Sequence, residues 1–548
     1  MSRTDGQRER ASVWAIVLLF AVLSALITWP QIAHPLSVPP HTDSYFSLWR
    51  LGWIAHQLPR DPWHLFDANI FTPLRHTLAF SDAVLLQALV AAPFIWMGVP
   101  IVLIYNVEVL ISFVLCGLGM FLLVRDLTRS PAAGILAGLV FAFAPYRFDH
   151  YIHLELLWTQ WMPFTLWMFH RTLATGRIRD GAMTGVFMTL QGLSCIYLGV
   201  FFLTAFGPAA VLMLTRTAVP LRRVVAALAI GALLCGAMMY AYRMPYTVAR
   251  DLVGGRASGE TSLYSAGPKH YFSATPDNLL YGPLTGDFGR HEKRLFPGLI
   301  ALGLLLTGLW PPVDRRRLAY ALTLAIAVVV SFGPPGIVGG WLQATTEVYQ
   351  GLRVFARMGG VALAAIAVLA GFGAARALAW IDHRRWRPVV PVTALVGTLM
   401  FGEYLVAPRE LVSVDTSAPP AYAWLATQPR GVVAELPLPR NEPADLIRYE
   451  SIYAYNSTFH FQPLVNGYSG FWPAPYIAMV RAVRGFPDAA ALGALRDHDV
   501  RYVLIHERFY GREPYAALLA QLKEVGALSP LGRFKDEDFE IAVFGLGR

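Results

Sequence analysis

Apolar runs close to twenty residues long recur along the chain and are separated by short charged segments. They predict membrane spans at 12–29, 101–124, 131–145, 156–170, 181–195, 197–214, 224–242, 296–311, 318–333, 358–380 and 388–406. Runs of this length match a hydrocarbon core roughly 30 Å thick. The segments between them alternate in character. The N-terminal SRTDGQRER, Arg125–Ser130, His170–Asp180, Arg216–Arg223, Asp314–Arg317 and Asp382–Arg387 are all short and basic. Lys and Arg gather on the cytoplasmic side of short loops, so these six segments predict a cytoplasmic N-terminus. The stretch 181–214 reads as one helix or as two, and only two preserve the alternation. The remaining segments (30–100, 146–155, 243–295, 334–357 and everything after 407) are longer and richer in aromatics, Pro, His and acids. They fall on the outer side, where the chemistry is expected.

Composition sharpens this picture. Of 548 residues, 55% are hydrophobic and 15% charged, where a soluble chain carries about 25% charge. The net charge of +9 sits in the short basic loops that set topology, so it does not point to nucleic acid. The three cysteines, Cys116, Cys195 and Cys235, lie inside apolar runs and read as small buried hydrophobes. The basic N-terminus before the first apolar run has the order of a signal peptide. The run is long and lacks a small-residue cleavage site, so it reads as a retained first span. The tail after 408 reads as a small α/β domain. Strands are expected near Leu425–Pro437, 501–507 and Glu540–Phe544, with a helix over Tyr515–Val525.

The first outer loop, roughly seventy residues without a full span, is too long to be a passive connection. It holds two amphipathic stretches, 43–58 and 82–97. In the first, Phe46, Trp49, Trp53 and Ile54 form one face, expected to lie at the membrane interface. Asp43 stands at its start, where a carboxylate would reach a lipid head group; a helix N-cap is the plainer reading of the same residue. The second outer loop packs Arg147, Asp149, His150, His153 and Glu155 into nine positions. Ionisable groups at a membrane boundary are costly, and this set could hold a divalent metal or an acceptor, or simply anchor at the interface. Arg353 and Arg357, spaced i, i+4 before span ten, suit a lipid phosphate. In the loop 243–295, Arg256, Glu260 and Tyr264 follow a Gly-rich stretch and could form a lid. NGYSGFWP (466–473) suits either sugar stacking or a packing turn.

This layout resembles the GT-C superfamily of membrane glycosyltransferases. A first span, an outer-loop Asp, two juxtamembrane helices, many spans and an outer C-terminal domain are shared with protein O-mannosyltransferases and lipid A aminoarabinose transferases. FAPYRFDHYIHLELLW, LRVFARMG and VNGYSGFWP are similar to segments of bacterial members. The resemblance implies a polytopic α-helical membrane protein with about eleven transmembrane helices over 1–407 and a small periplasmic α/β domain over 408–548. It places the protein in the bacterial inner membrane. It implies transfer of a sugar from a polyprenyl-phosphate donor to a glycan, lipid or protein acceptor in the envelope. Asp43 matches the family's first-loop acid and would be the general base. Arg353, Arg357 and Arg147 would bind the donor phosphate, and a divalent metal is an open expectation. A flippase of lipid-linked sugars would put charge deep in the spans; only Glu108 and Glu403 lie there. A non-catalytic envelope assembly factor is the third reading.

Overall fold

A computed structural model describes residues 3–383, 389–439 and 449–547; residues 384–387 of the expected basic segment Asp382–Arg387 lie outside them. The chain is mostly helical. Five helical segments are long and apolar enough to cross a membrane: Ile101–Thr128, Pro131–Asp149, Ile196–Leu214, Leu221–Val253 and Phe355–Ile381. Shorter apolar helices cover Val13–Ile27, Leu299–Leu309 and Val389–Tyr404. The protein is therefore a multi-pass membrane protein. The stretch 181–214 is two helices, Ile178–Ser194 and Ile196–Leu214, because Cys195 is extended at φ −157° and ψ 110°. The span expected at 224–242 lies within a longer helix of 33 residues, Leu221–Val253. At 1.5 Å per residue it is about 50 Å long, well beyond the hydrocarbon thickness.

Two compact units divide the chain. The first takes in residues up to Ala33, Val107–Tyr242 and Gly255–Arg409; the second takes in His34–Asn106, Arg243–Gly254 and everything from Glu410 onward. In the first unit, small residues let helix backbones touch. A Cβ on Gly185 would stand 2.0 Å from the Gly231 carbonyl oxygen, and one on Gly181 would stand 2.2 Å from that of Ala227. The helices Ile178–Ser194 and Leu221–Val253 thus cross at glycine, as in the small-xxx-small packing of membrane helices.

In the second unit, β1 (Ser37–Val38) pairs antiparallel with β2 (Val412–Ser413), joining the first loop to the tail. The strands β3 (Val432–Leu436), β4 (Val500–His506), β5 (Leu528–Asp536) and β6 (Phe539–Leu546) form one sheet in the order β3-β4-β6-β5. The pair β3–β4 is parallel and the other two pairs are antiparallel. The helices Thr42–Gln57 and Leu85–Trp96 occupy the two amphipathic stretches of the loop. Phe46, Trp49, Trp53 and Ile54 are all buried. Their face packs on protein, against Leu85–Trp96 and Glu450–Asn456, and not on lipid as expected. Trp49 Nε1 donates to Asn69 Oδ1 at 3.1 Å and Trp53 Nε1 to the Leu65 carbonyl at 2.9 Å. An indole N–H so bonded can be buried without loss.

Candidate functional site

Within the second unit, the site is built around Asp43. Backbone bonds first lay three segments side by side. Phe71 N donates to the Asn466 carbonyl, Thr72 N to that of Leu464, and Leu464 N to that of Asn69. Val433 N donates to the Pro463 carbonyl and Val465 N to that of Val433, which ties the same segment to β3. Asn466, fully buried, then bonds both ways with Glu435: its Oδ1 accepts from Glu435 N at 2.8 Å, and its Nδ2 donates to the Glu435 carbonyl at 2.9 Å. Glu450 Oε2 accepts from Gly467 N at 2.9 Å, and its Oε1 from Tyr476 Oη at 2.7 Å. A side chain at 467 would crowd the Phe71 ring, since a Cβ there would stand 2.7 Å from it.

This scaffold delivers Tyr468 to Asp43. The Tyr468 hydroxyl donates to Asp43 Oδ1 at 2.9 Å and lies 3.2 Å from Thr42 Oγ1. His41 Nδ1 sits 3.3 Å from Asp43 Oδ2. The cap of the helix is His41, whose Nδ1 accepts from Asp43 N, so Asp43 is not the N-cap. Its carboxylate lies in the first helical turn, where the helix dipole favours negative charge. The Asp43 side chain is 20% exposed, so it is held in place yet reachable. In the sequence Tyr468 stands only as part of the aromatic stretch 466–473; its partner is more than four hundred residues away, and no local signal links them. Burial raises the Glu450 carboxyl to about 8, against the opposing pull of its Tyr476, Asn466 and Gly467 donors.

In the first unit, most of the charged residues expected to form the site fall into two groups. Glu292, which sequence reasoning passed over, centres one. Arg357 Nε donates to Glu292 Oε2 at 2.9 Å, and a second short bond joins Arg357 to Oε1. His150 Nδ1 and His153 Nε2 lie 3.6 Å and 4.0 Å from the same carboxylate. Burial alone would raise Glu292, but the Arg357 charge and its hydrogen bond outweigh that and hold the carboxyl well below its ordinary range. Asp149 is consumed by the frame: Oδ1 accepts from Arg294 and Oδ2 from Glu292 N, both at 2.9 Å. Glu155, buried, adds negative charge to the surroundings of Arg357. Among the described residues, the group whose donor atoms could share a metal is His150, His153 and His291, all within 4.8 Å of one another. Sequence spacing pointed to Asp149 and Glu155 beside the first two and missed His291.

The second group gathers Arg353 with the three residues expected to form a lid. Arg256 Nη1 donates to Glu260 Oε1 at 3.1 Å. Arg353 Nη1 lies 3.8 Å from the same oxygen, and its guanidinium carbon lies 4.9 Å over the Tyr264 ring. Arg353 and Arg357 do not share an α-helical face. Val354 is non-helical at φ −110° and ψ 86°, Phe355–Met358 is a 3₁₀ turn, and the two guanidiniums reach different acids. Tyr197 lies between them: its hydroxyl accepts from Arg353 N at 2.9 Å and its ring lies 5.2 Å from the Arg357 guanidinium carbon. Arg147 stands apart from both groups' acids. It is 2% exposed, bonds the Thr159 hydroxyl at 2.8 Å and the Leu157 carbonyl at 2.9 Å, and stacks on Phe113.

No family model and no curated protein matches the chain. Among solved structures it is similar to the mycobacterial arabinofuranosyltransferase AftD, with a TM-score of 0.62 and 13% identity, over 98% of this chain and 40% of that one. A mutant form of AftD gives a TM-score of 0.64 at 14% identity, over 98% and 42%. ArnT from Cupriavidus metallidurans bound to undecaprenyl phosphate gives 0.49 at 12% identity, over 98% and 97%. The chain thus spans about two fifths of the length of AftD. AftD carries the comparison, and on that likeness this chain has a GT-C-like fold.

Proposed function

We propose that the protein transfers a sugar from a polyprenyl-phosphate donor to an acceptor on the periplasmic face of the inner membrane, with Asp43 as general base. The single observation that carries this reading is the held but reachable carboxylate of Asp43, bonded by the Tyr468 hydroxyl in the first turn of a helix that His41 caps. Inverting transfer needs one carboxylate to take the acceptor proton as the nucleophile attacks the anomeric carbon. The leaving group is a phosphate and needs cationic stabilisation, not a protonating acid. In the first unit, Arg353 is 28% exposed beside Arg256 and Glu260 and is the candidate ligand for a donor phosphate, which Arg353→Ala would test as a loss of donor affinity. Arg357 and Arg147 keep the loop frame through their buried partners. AftD, named as an arabinofuranosyltransferase, makes a pentose a reasonable first sugar to try. The acceptor is an envelope glycan, lipid or protein.

The test is a transfer assay with the purified chain in lipid nanodiscs. A radiolabelled polyprenyl-phosphate pentose or hexose is supplied with an envelope extract as acceptor, and free polyprenyl phosphate is measured. Release that depends on both protein and extract supports the reading. Movement of the intact lipid-linked sugar across proteoliposomes, with no release, would replace it with the flippase reading.

A further inference from the structure

We infer that His150, His153 and His291 form a binding site for one zinc-class transition-metal ion. Their donor atoms lie within 4.8 Å of one another. The ring centroids are 5.9 Å apart for His150 and His153, 6.1 Å for His150 and His291, and 5.5 Å for His153 and His291. A tetrahedral ion with Zn–N bonds of 2.0–2.1 Å needs nitrogens about 3.3 Å apart, so the rings must draw in by no more than about 1.5 Å. Nearby contacts already orient them. His291 Nε2 lies 2.8 Å from the Asp149 carbonyl oxygen. An oxygen can only accept, so Nε2 carries the proton and Nδ1 keeps its lone pair. A backbone carbonyl holding the far nitrogen of an imidazole is how metal-ligating histidines are oriented.

His150 supplies a second, independent observation. It is 1% exposed, and neither ring nitrogen has a hydrogen-bond partner among the described residues. A buried imidazole N–H or lone pair left unmatched is costly, and a metal ion is the ligand that uses the lone pair of a neutral ring. Glu292, 3.6 Å from His150, is already bonded to Arg357, so it sets the local charge without being the ligand. The donor set selects the metal. Three imidazoles suit Zn²⁺, Co²⁺ or Ni²⁺, whereas Mg²⁺ and Ca²⁺ prefer oxygen ligands. The ion would tie the turn 150–153 to the loop carrying His291, the same two segments that Asp149 and Arg294 join.

This inference stands on the cluster alone and does not depend on the transferase reading. The full chain is purified in detergent with a histidine-free affinity tag, its metal content is measured by plasma mass spectrometry, and the stripped protein is titrated with Co²⁺ and read by visible d–d absorption. We expect about one tightly held zinc-class ion per chain, cobalt bands of a nitrogen-bound site, and at least tenfold weaker binding in His291→Ala. His291 is exposed, so that variant should fold, and His34→Ala, also exposed, should bind as the wild type does. Cobalt binding by the wild type no tighter than by His291→Ala, or displacement of Zn²⁺ by equimolar Mg²⁺, would overturn it.

Discussion

Replacing Glu450 by Gln should remove a large pH dependence of stability. Glu450 is fully buried and its carboxyl is raised from 4.5 to about 8 by burial. Between these values the folded chain keeps a proton that the unfolded chain has lost, so stability falls as pH rises across this window. The contribution is whole below about pH 4.5 and gone above about pH 8. The difference, 8 − 4.5 = 3.5 pH units, at 1.36 kcal/mol per unit amounts to about 5 kcal/mol. Gln cannot ionise but loses one acceptor, so Gly467 N–H or the Tyr476 hydroxyl must go unmatched, at about 1–3 kcal/mol. Wild type should therefore be the more stable at pH 5, and the variant should gain on it steadily up to pH 8. Thermal unfolding of both full-length proteins, followed by tryptophan fluorescence in detergent at matched scan rate from pH 5 to 9, measures this difference. A wild-type-minus-variant gap that stays constant over that range would refute the reasoning. Because Glu450 holds Gly467, one residue before Tyr468, the same window should narrow the pH range of any Asp43-dependent activity.

Two further substitutions probe the two units separately. Gly467→Ala should destabilise the second unit by about 1–3 kcal/mol through overpacking against the Phe71 ring, and lower activity as Tyr468 shifts; a melting temperature equal to wild type would contradict this. Arg357→Met leaves Glu292 charged and buried, which should cost about 3–5 kcal/mol. Adding Glu292→Gln should restore most of it, and equal melting temperatures for the single and double variants would show that the ion pair is not what holds these loops.

The helical framework was legible because membrane crossing imposes a length and an apolar composition that the chain displays directly. The break at Cys195 was legible through loop charge rather than through local propensity. The strand β5 was not: it is an edge strand with most residues exposed or half-exposed, so LSPLGRFKD lacks an apolar run. The aromatic face of Thr42–Gln57 was read correctly as apolar but assigned to lipid, since periodicity shows that a face is covered and not what covers it. Asp43, Arg353, His150 and His153 stood out as charged groups beside apolar runs. Their partners Tyr468, Tyr197, His291 and Glu292 did not, because each is brought in by a distant segment. The expected helical face shared by Arg353 and Arg357 is absent because the backbone is non-helical at Val354 and turns as a 3₁₀ helix over Phe355–Met358.

The central claim is that Asp43 takes the acceptor's proton. Its most direct test is the initial rate of polyprenyl-phosphate release by Asp43→Asn, measured beside wild type at equal, saturating donor. Asn keeps the size of the side chain and can accept from Tyr468 but cannot take a proton. We predict a loss of about 10²–10⁴-fold in turnover with donor affinity unchanged. Turnover within twofold of wild type would contradict the assignment of Asp43 as the base.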